Sequence, residues 1–208
     1  LDPEGLHVVD KQIMPTYIRN GVCVSSFSPD GNYFSYLSSV GRETGSFLYL
    51  FRFDRCNGKL SLLFQNNYNK NGLFSSVGFS PNSRYLYWGH SSKLYQLDLN
   101  APDILATAIL LDTIDPIPNF GMSWAFFKNG PDGRLYSGTG YGQPYLHVIE
   151  KPNLRGLNCI PRRMGIPLQT RNNSTPNFPH FRLGPIDGSA CDSLGIDNVP
   201  WAWWRYDQ

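Results

Sequence analysis

Three times along the chain, an apolar run leads into a tight turn and then into a second run rich in aromatic residues. The turns have the sequences SPDG, SPNS and GPDG, at Ser28–Gly31, Ser80–Ser83 and Gly130–Gly133. The phenylalanines ahead of these turns are spaced by 52 and 48 residues, at Phe27, Phe79 and Phe127. A period near fifty residues indicates a repeat architecture. Any fold of this chain must therefore be assembled from copies of one small unit.

Each copy continues in the same register. A third strand-like run begins at Leu48, Leu94 and Tyr145, and a fourth follows at 59–64 and 106–111. The last of these runs taken alone would also suit a short helix, because Ala and Leu are good helix formers. Four short strands per unit predict an all-β fold built from the four-stranded antiparallel blades of a β-propeller.

The residue types of the strands suggest where each strand lies. The first strand of each copy is small and apolar, with Val24, Val77 and Ala125 at its centre. Such residues suit an innermost strand beside a central channel, whereas the aromatic residues of the second strand would fill the space between blades. One blade cannot bury both of its faces, so stability is expected from stacking between neighbours.

The repeats extend over approximately 21–66, 72–115 and 120–168, within a single propeller region of residues 1–208. At roughly fifty residues per blade, the chain holds about three full blades with partial ones at its ends. It therefore reads as the C-terminal part of a larger propeller, cut by proteolysis or truncated. Residues 152–208 are rich in Pro, Gly and Asn, and we expect a loop-rich extension that wraps over the blades.

Composition narrows the class of partner. Charged residues make up 16% of the chain, below the roughly 25% that is usual, and aromatic residues 14%. No apolar run reaches the ~18 residues of a membrane-spanning helix. The net charge of +2 is scattered along the sequence, which argues against nucleic-acid binding.

Catalytic and metal-binding motifs fail on inspection. Gly89–Lys93 has a Ser two residues after Gly but lacks the second Gly of a nucleophile elbow, and Gly138–Gly142 leads into a strand rather than a phosphate-binding helix. The four histidines have no partner at metal-ligand spacing, and His147 is expected to face solvent or a neighbouring blade. The sequence thus predicts no catalytic, cofactor-binding or metal-binding residue. A loop-bound Ca²⁺ would leave no sequence signature and has no support.

Four cysteines, an even number, suit an oxidising compartment. Cys23 and Cys56 fall at opposite ends of one predicted blade, further apart than the ~7 Å Cα limit of a disulfide. Cys159 and Cys191 share the loop-rich C-terminal region and are the predicted disulfide pair. Cys23 and Cys56 would then be buried thiols or have partners outside this chain.

Three tryptophans crowd the C-terminus, at Trp201, Trp203 and Trp204. Tryptophan buries a large area, so the favoured interpretation is that they pack the tail onto an exposed blade. The alternative is an aromatic contact surface that stacks on a sugar ring or docks a partner.

The ordered series of phrases resembles the secreted β-propeller proteins (WD40/YVTN-like) of type IX-secreting Bacteroidetes bacteria. The segments that carry the resemblance cover nearly the whole chain: the FSPDG hairpin, 51–61, 78–87, 94–98, 145–156, 177–184 and 186–198. The resemblance implies export across both membranes, and display or release at the cell surface through a sorting domain beyond Gln208. It also makes Thr113 and Ser193 candidate O-glycosylation sites, because both stand in the Asp-Ser/Thr-aliphatic pattern that this bacterial group modifies.

These observations favour a non-catalytic, secreted or cell-surface scaffold that binds protein or glycan partners. One alternative is a structural subunit completed by another chain, which predicts a large apolar interface at the first or last unit. The other is a propeller enzyme, such as a lactonase, glycosidase or lyase, with its site on missing blades. In each case the missing part of the propeller or another chain is the expected partner. Fold alone cannot choose among them.

Overall fold

The computed structural model of the chain describes residues 11–12, 22–39, 46–68, 75–90, 92–114, 123–139 and 142–172. Its strands form three four-stranded antiparallel sheets, each in simple sequential order, which are the blades of a partial propeller. Blade 1 comprises β1 Val22–Phe27, β2 Tyr33–Ser39, β3 Ser46–Asp54 and β4 Lys59–Tyr68. Blade 2 comprises β5 Ser75–Phe79, β6 Tyr85–His90, β7 Lys93–Asp98 and β8 Ile109–Thr113. Blade 3 comprises β9 Ala125–Asn129, β10 Leu135–Gly138, β11 Gln143–Ile149 and β12 Pro161–Asn172.

The repeated turn joins the first two strands of every blade. In blade 1 the carboxylate of Asp30 accepts the backbone N–H of Asn32, and Gly31 takes a positive φ of 69°. This is the conformation for which the Asp-Gly pair was expected. Blade 2 has Ser83 at the position of Gly31, also with a positive φ, of 59°. The Ser83 hydroxyl accepts the backbone N–H of Asp30 at 2.9 Å, so the turns of blades 1 and 2 are directly bonded.

The middle blade buries both of its faces. Tyr85 and Tyr87 on β6 point into the core shared with blade 3, whereas Leu86 and Trp88 point into the core shared with blade 1. This is the period-2 alternation of a strand, with apolar residues on both sides. The expected small residues of the inner strands lie at these contacts: Val77 and Ala125 are buried, and Val24 is partly buried against the first core.

The last two strands of the repeats differ in part from expectation. Residues 105–107 form a single 3₁₀ turn, and the outer strand β8 begins only at Ile109, so the helix-like run is divided between the two. Pro161 and Pro167 belong to the segment that was expected to be rich in loops, yet both lie within the twelve-residue β12. That strand is the outer edge of blade 3, where proline's missing N–H is tolerated, and its pairing with β11 is interrupted by register shifts.

The cysteines do not pair as predicted. Cys159 is a free, buried thiol in the core between blades 2 and 3, so the predicted Cys159–Cys191 disulfide is wrong. Cys159 lies in the 3₁₀ turn Gly156–Cys159, which packs inward. Cys56 is exposed in the β3–β4 turn and is disulfide-bonded, rather than a buried thiol. The side chain of Cys23 and all of Cys191 lie outside the described part of the structure.

Blades 2 and 3 approach each other closely at Gly89, near the end of β6. A Cβ atom at this position would stand 1.9 Å from the backbone oxygen of Trp124. The contact is with backbone, which cannot swing away as a side chain can. Only glycine allows the two blades to meet at this distance.

We expect Gly89→Ala to separate the two blades and lower the free energy of unfolding by about 3 kcal/mol or more, as overpacking at rigid contacts does. Urea denaturation monitored by fluorescence measures the effect. Gly58→Asn is the matched control: Gly58 has a positive φ that Asn tolerates, and a Cβ there meets nothing within 4 Å. A Gly89→Ala protein as stable as the control would contradict the close approach.

Candidate active site

Four side chains from three strands and one loop meet where blades 2 and 3 adjoin. Asp112 lies on β8 of blade 2, Trp124 immediately precedes β9, His147 lies on β11 and Arg163 on β12. Asp112 accepts the indole N–H of Trp124 at 2.9 Å and the Nε–H of Arg163 at 2.8 Å. The second guanidinium nitrogen of Arg163 donates to the other oxygen of Asp112 at 2.5 Å and to the Thr113 carbonyl at 2.7 Å. We call these four residues the junction cluster.

His147 packs against Trp124 in the junction cluster and is 0% exposed. Its ring centroid is 4.7 Å from that of Trp124 and 5.6 Å from that of Tyr145. The Nδ1 atom accepts the backbone N–H of Met164 at 3.0 Å. The Nε2 atom is buried and has no hydrogen-bond partner in the described part of the chain. A buried polar atom left unpaired costs roughly 1–3 kcal/mol, so it requires an explanation.

The environment holds this imidazole neutral. Burial lowers the pKa of His147 to about 4, the charge of Arg163 acts in the same direction, and Asp112 opposes both. Because Nδ1 is an acceptor, the single proton of the neutral ring resides on Nε2. The unpaired atom is therefore an N–H donor at neutral pH.

Asp112 has a different role. Burial alone would raise the pKa of its carboxyl, but the hydrogen bonds from Arg163 and Trp124 outweigh burial, and the pKa is lowered. The carboxylate is therefore ionised, with its oxygens occupied by these donors. It positions Arg163 and Trp124 and is poorly suited to accept a proton.

Sequence reasoning identified His147 but not its role. It lies between Leu146 and Val148 in a strand, and the structure buries all three residues. Of the two expected environments, solvent or a neighbouring blade, the structure shows burial at the blade junction. Asp112 and Arg163 gave no local signal, because 51 residues separate them in the chain and only blade stacking brings them together.

A second polar network, away from the junction cluster, fixes the β11–β12 loop. The buried side chain of Gln96 donates to the Leu154 carbonyl and accepts the Gly156 N–H, while Tyr87 donates to the Pro152 carbonyl. All of these groups are paired with backbone, which indicates a structural role. Within the described ranges, no group of three or more His, Cys, Asp or Glu side chains is arranged to hold a metal ion.

The remaining sequence-predicted sites are only partly described. Thr113 is exposed at the end of β8. Cys191, Ser193, Trp201, Trp203 and Trp204 lie outside the described residues. O-glycosylation and the aromatic contact therefore stay predictions.

The three four-stranded blades identify the chain as part of a β-propeller. No protein-family model matches the chain, and no curated protein sequence is similar to it. Among solved structures it is similar to a Bacteroides uniformis protein described as a 6-phosphogluconolactonase, at 18% identity and a TM-score of 0.42, covering 60% of this chain and 35% of that one. It is also similar to the periplasmic gluconolactonase of Pseudomonas aeruginosa, at 17% identity and a TM-score of 0.45, covering 71% of this chain and 44% of that one. The chain thus spans less than half the length of either protein.

This finding corrects the functional expectation. Both similar structures carry the names of lactonases, which are enzymes, and the prediction of a non-catalytic scaffold is wrong on that ground. Among the described residues of this chain, the junction cluster is the candidate for chemistry.

The neutral state of His147 predicts a pH-dependent stability. Its folded pKa of about 4 lies below the ordinary value of 6.5, so between these values the unfolded chain binds a proton that the folded chain does not. We expect the free energy of unfolding to fall by roughly 3 kcal/mol as the pH falls from about 6.5 to 4. Urea denaturation across that range measures the slope.

The control variants are His147→Asn and His90→Asn. His147→Asn would keep an acceptor for the Met164 N–H but removes the titrating group, so the slope should flatten. The pKa of His90 is also lowered, by burial and then by Lys93. His90→Asn should therefore remove only the part of the pH-dependent loss of stability that His90 contributes. An unchanged slope in His147→Asn would show that His147 is not held neutral.

Proposed function

We propose that the chain forms part of a propeller enzyme that hydrolyses a ring ester, with the Nε2–H of His147 donating a hydrogen bond to the ester carbonyl oxygen. The observation that carries the proposal is the buried, neutral imidazole whose Nε2 atom has no partner among the described residues. Strongly perturbed ionisable groups concentrate at functional sites. A lone unpaired donor beside an ion pair is the arrangement that an incoming carbonyl oxygen would complete.

The chemistry requires such a donor. Water adds to the carbonyl carbon, negative charge develops on the carbonyl oxygen, and the ring C–O bond then breaks to give an acid and an alcohol. A preorganised donor in a dry site stabilises the developing charge and is commonly worth 10²–10³ in rate. A neutral imidazole fits this role because its remaining proton is on the nitrogen that faces the substrate.

Arg163 connects the buried imidazole with the surface. Its side chain is 38% exposed, and its ion pair with Asp112 fixes it beside His147. Its positive charge adds to the effect of burial in lowering the pKa of the imidazole and would attract an anionic or electron-rich substrate. Asp112 is occupied by its donors, so the base that activates water is expected from outside the junction cluster.

The test compares two substitutions that each replace the hydrogen-bonding group of one of the two imidazole nitrogens. His147→Gln can place an amide N–H near the position of Nε2, whereas His147→Asn can replace only the Nδ1 acceptor. With D-glucono-1,5-lactone, chosen because the two similar structures are named for such lactones, we expect hydrolysis above the spontaneous rate by the unaltered chain. His147→Asn should lower kcat by about 10²-fold or more, and His147→Gln by clearly less.

A pH-stat assay measures acid release, and urea denaturation checks that both variants remain folded. His90→Asn is the control outside the junction cluster and should leave the rate unchanged. The proposal fails if the unaltered chain does not exceed the spontaneous rate with this lactone or with simple γ- and δ-lactones. It also fails if the His147→Asn and His147→Gln variants behave alike.

We further infer that the protein is exported. The disulfide at the exposed Cys56 supports an oxidising compartment. No helix in the described part of the chain is long and apolar enough to cross a membrane. Display or release by type IX secretion, with O-glycosylation at Thr113 and Ser193, is the finer form of this proposal, and intact mass of the protein from its native host tests it.

We also infer that further blades, on this or another chain, complete the propeller. Phe27 is 49% exposed on blade 1, where its ring meets that of Phe34 at a tilt and that of Phe53 edge-on, on the face turned away from blade 2. On the outer face of blade 3, Tyr136, Leu146 and Val148 are already buried in a small third core, so the uncovered aromatic face is that of blade 1. Propeller blades cover such faces with their neighbours.

A further inference from the structure

The outer strand of blade 3 carries an insertion opposite His147. On either side of it, Leu146 pairs with Ile166 and Val148 pairs with Arg162, and the register of β11 and β12 shifts between these two pairs. The three residues between Arg162 and Ile166 therefore stand opposite the single residue His147. A regular antiparallel pair would place one residue there, so β12 holds a bulge with two extra residues.

The middle residue of this bulge, Met164, has a strained backbone. Its φ is 50°, in the left-handed region that residues other than Gly and Asn rarely adopt. Its side chain is 53% exposed, so packing does little to offset the strain. Strain of this kind persists only where the surrounding structure enforces it, and it concentrates at functional sites.

Gly165, the last residue of the bulge, allows the inserted residues to lie against β11. A Cβ atom at this position would stand 2.9 Å from Cγ2 and 3.2 Å from Cβ of Val148. Both distances are shorter than an ordinary contact between carbon atoms. The bulge is therefore held close to the strand that carries His147.

The bulge directs a backbone N–H at a side chain. In a regular ladder the N–H groups point to the neighbouring strand, whereas side chains stand roughly perpendicular to the sheet. Met164 departs from this pattern, because its N–H donates to Nδ1 of His147 at 3.0 Å. The bond fixes the orientation of the ring and leaves the single proton of the neutral imidazole on Nε2.

We propose that the bulge is a positioning element for His147, with Met164 and Gly165 as positioning residues. The inference rests on the proposed function, in which Nε2–H donates to the ester carbonyl oxygen. Because the Met164 N–H holds Nδ1 as an acceptor, the donor on Nε2 is in place before a substrate binds. A regular strand would remove this partner of Nδ1, and the proton could then exchange between the two ring nitrogens.

Deleting residues 164–165 would remove the bulge without turning the strand over. Side chains alternate with a period of two, so Arg163 and Ile166 keep their present faces. NMR of isotope-labelled histidine, assigned with the His147→Asn variant, reads the tautomer. The unaltered chain should show only protonated Nε2, with a scalar coupling between Nδ1 and the Met164 amide nitrogen. The deletion variant should show nitrogens averaged between two tautomers, and the pKa of His147 should rise from about 4, because the lost bond stabilises the neutral ring.

Two substitutions at Met164 keep the N–H and differ in their tolerance of a positive φ. Met164→Gly suits the left-handed conformation and should retain the single tautomer, whereas Met164→Val is branched at Cβ and should lose it. Ser83→Val is the matched control, because it strains another residue of positive φ, 59°, outside the junction cluster. It should lower stability and leave the His147 spectrum unchanged.

The spectra can overturn the inference in three ways. One is an unaltered chain that carries the proton on Nδ1 or shows no coupling to the Met164 amide. The second is a deletion or Met164→Val variant that keeps a single Nε2–H tautomer. The third is a Ser83→Val variant that loses it. The unaltered chain is decisive by itself if the variants fail to fold, which urea denaturation checks.

Kinetics separate this inference from the proposed function. With the lactone of the preceding test, the deletion and Met164→Val should lower kcat by about 10- to 100-fold with KM little changed, because a displaced donor loses transition-state stabilisation. Met164→Gly should recover most of that loss. A chain that hydrolyses no lactone, but whose tautomer follows the bulge, would refute the proposed function and leave the bulge as the element that orients His147. An unchanged kcat in a variant that has lost the tautomer would refute the positioning role.

Discussion

The structure depends on the burial of the middle blade from both sides. A four-stranded sheet in water has two faces to cover, and blade 2 covers one with blade 1 and the other with blade 3. Its strands are therefore apolar on both faces, most clearly in the Tyr-Leu-Tyr-Trp run of β6. The blades must also approach closely, which places Val77 and Ala125 on the inner strands, and Gly89 on β6, where large side chains would separate the blades.

The same stacking creates the candidate site. Asp112 belongs to blade 2, whereas Trp124, His147 and Arg163 belong to blade 3 and the segment leading into it. An isolated blade would leave Arg163 and Asp112 exposed to water, where an ion pair contributes little. At the junction, the pair is fixed beside the imidazole of His147, whose pKa is lowered mainly by burial, raised by Asp112 and lowered by Arg163. Stability and chemistry thus share one interface, and a change that loosens the blades would also alter the pKa of His147.

The periodicity of the sequence predicted the blades well, because turn residues and strand alternation are local signals. The SPDG, SPNS and GPDG turns and the strands beside them lie where the repeats placed them. The prolines of residues 161–172 suggested a loop, but this segment is the edge strand β12. An edge strand uses only one of its two hydrogen-bonding sides, so it tolerates proline. The junction cluster and the state of Cys159 could not be predicted from the sequence. Both depend on which blade faces which, and no local pattern carries that information.

The repeated turn shows that the blades are alike without being interchangeable. Ser83 accepts a left-handed backbone conformation that suits glycine better, and in return its hydroxyl bonds the turn of blade 1. A hybrid chain that carried the first blade's turn in the second position would relax the backbone but leave the neighbouring amide without its partner. Each copy of the motif is thus adapted to its place in the row, so duplication of one blade would not by itself lengthen this propeller.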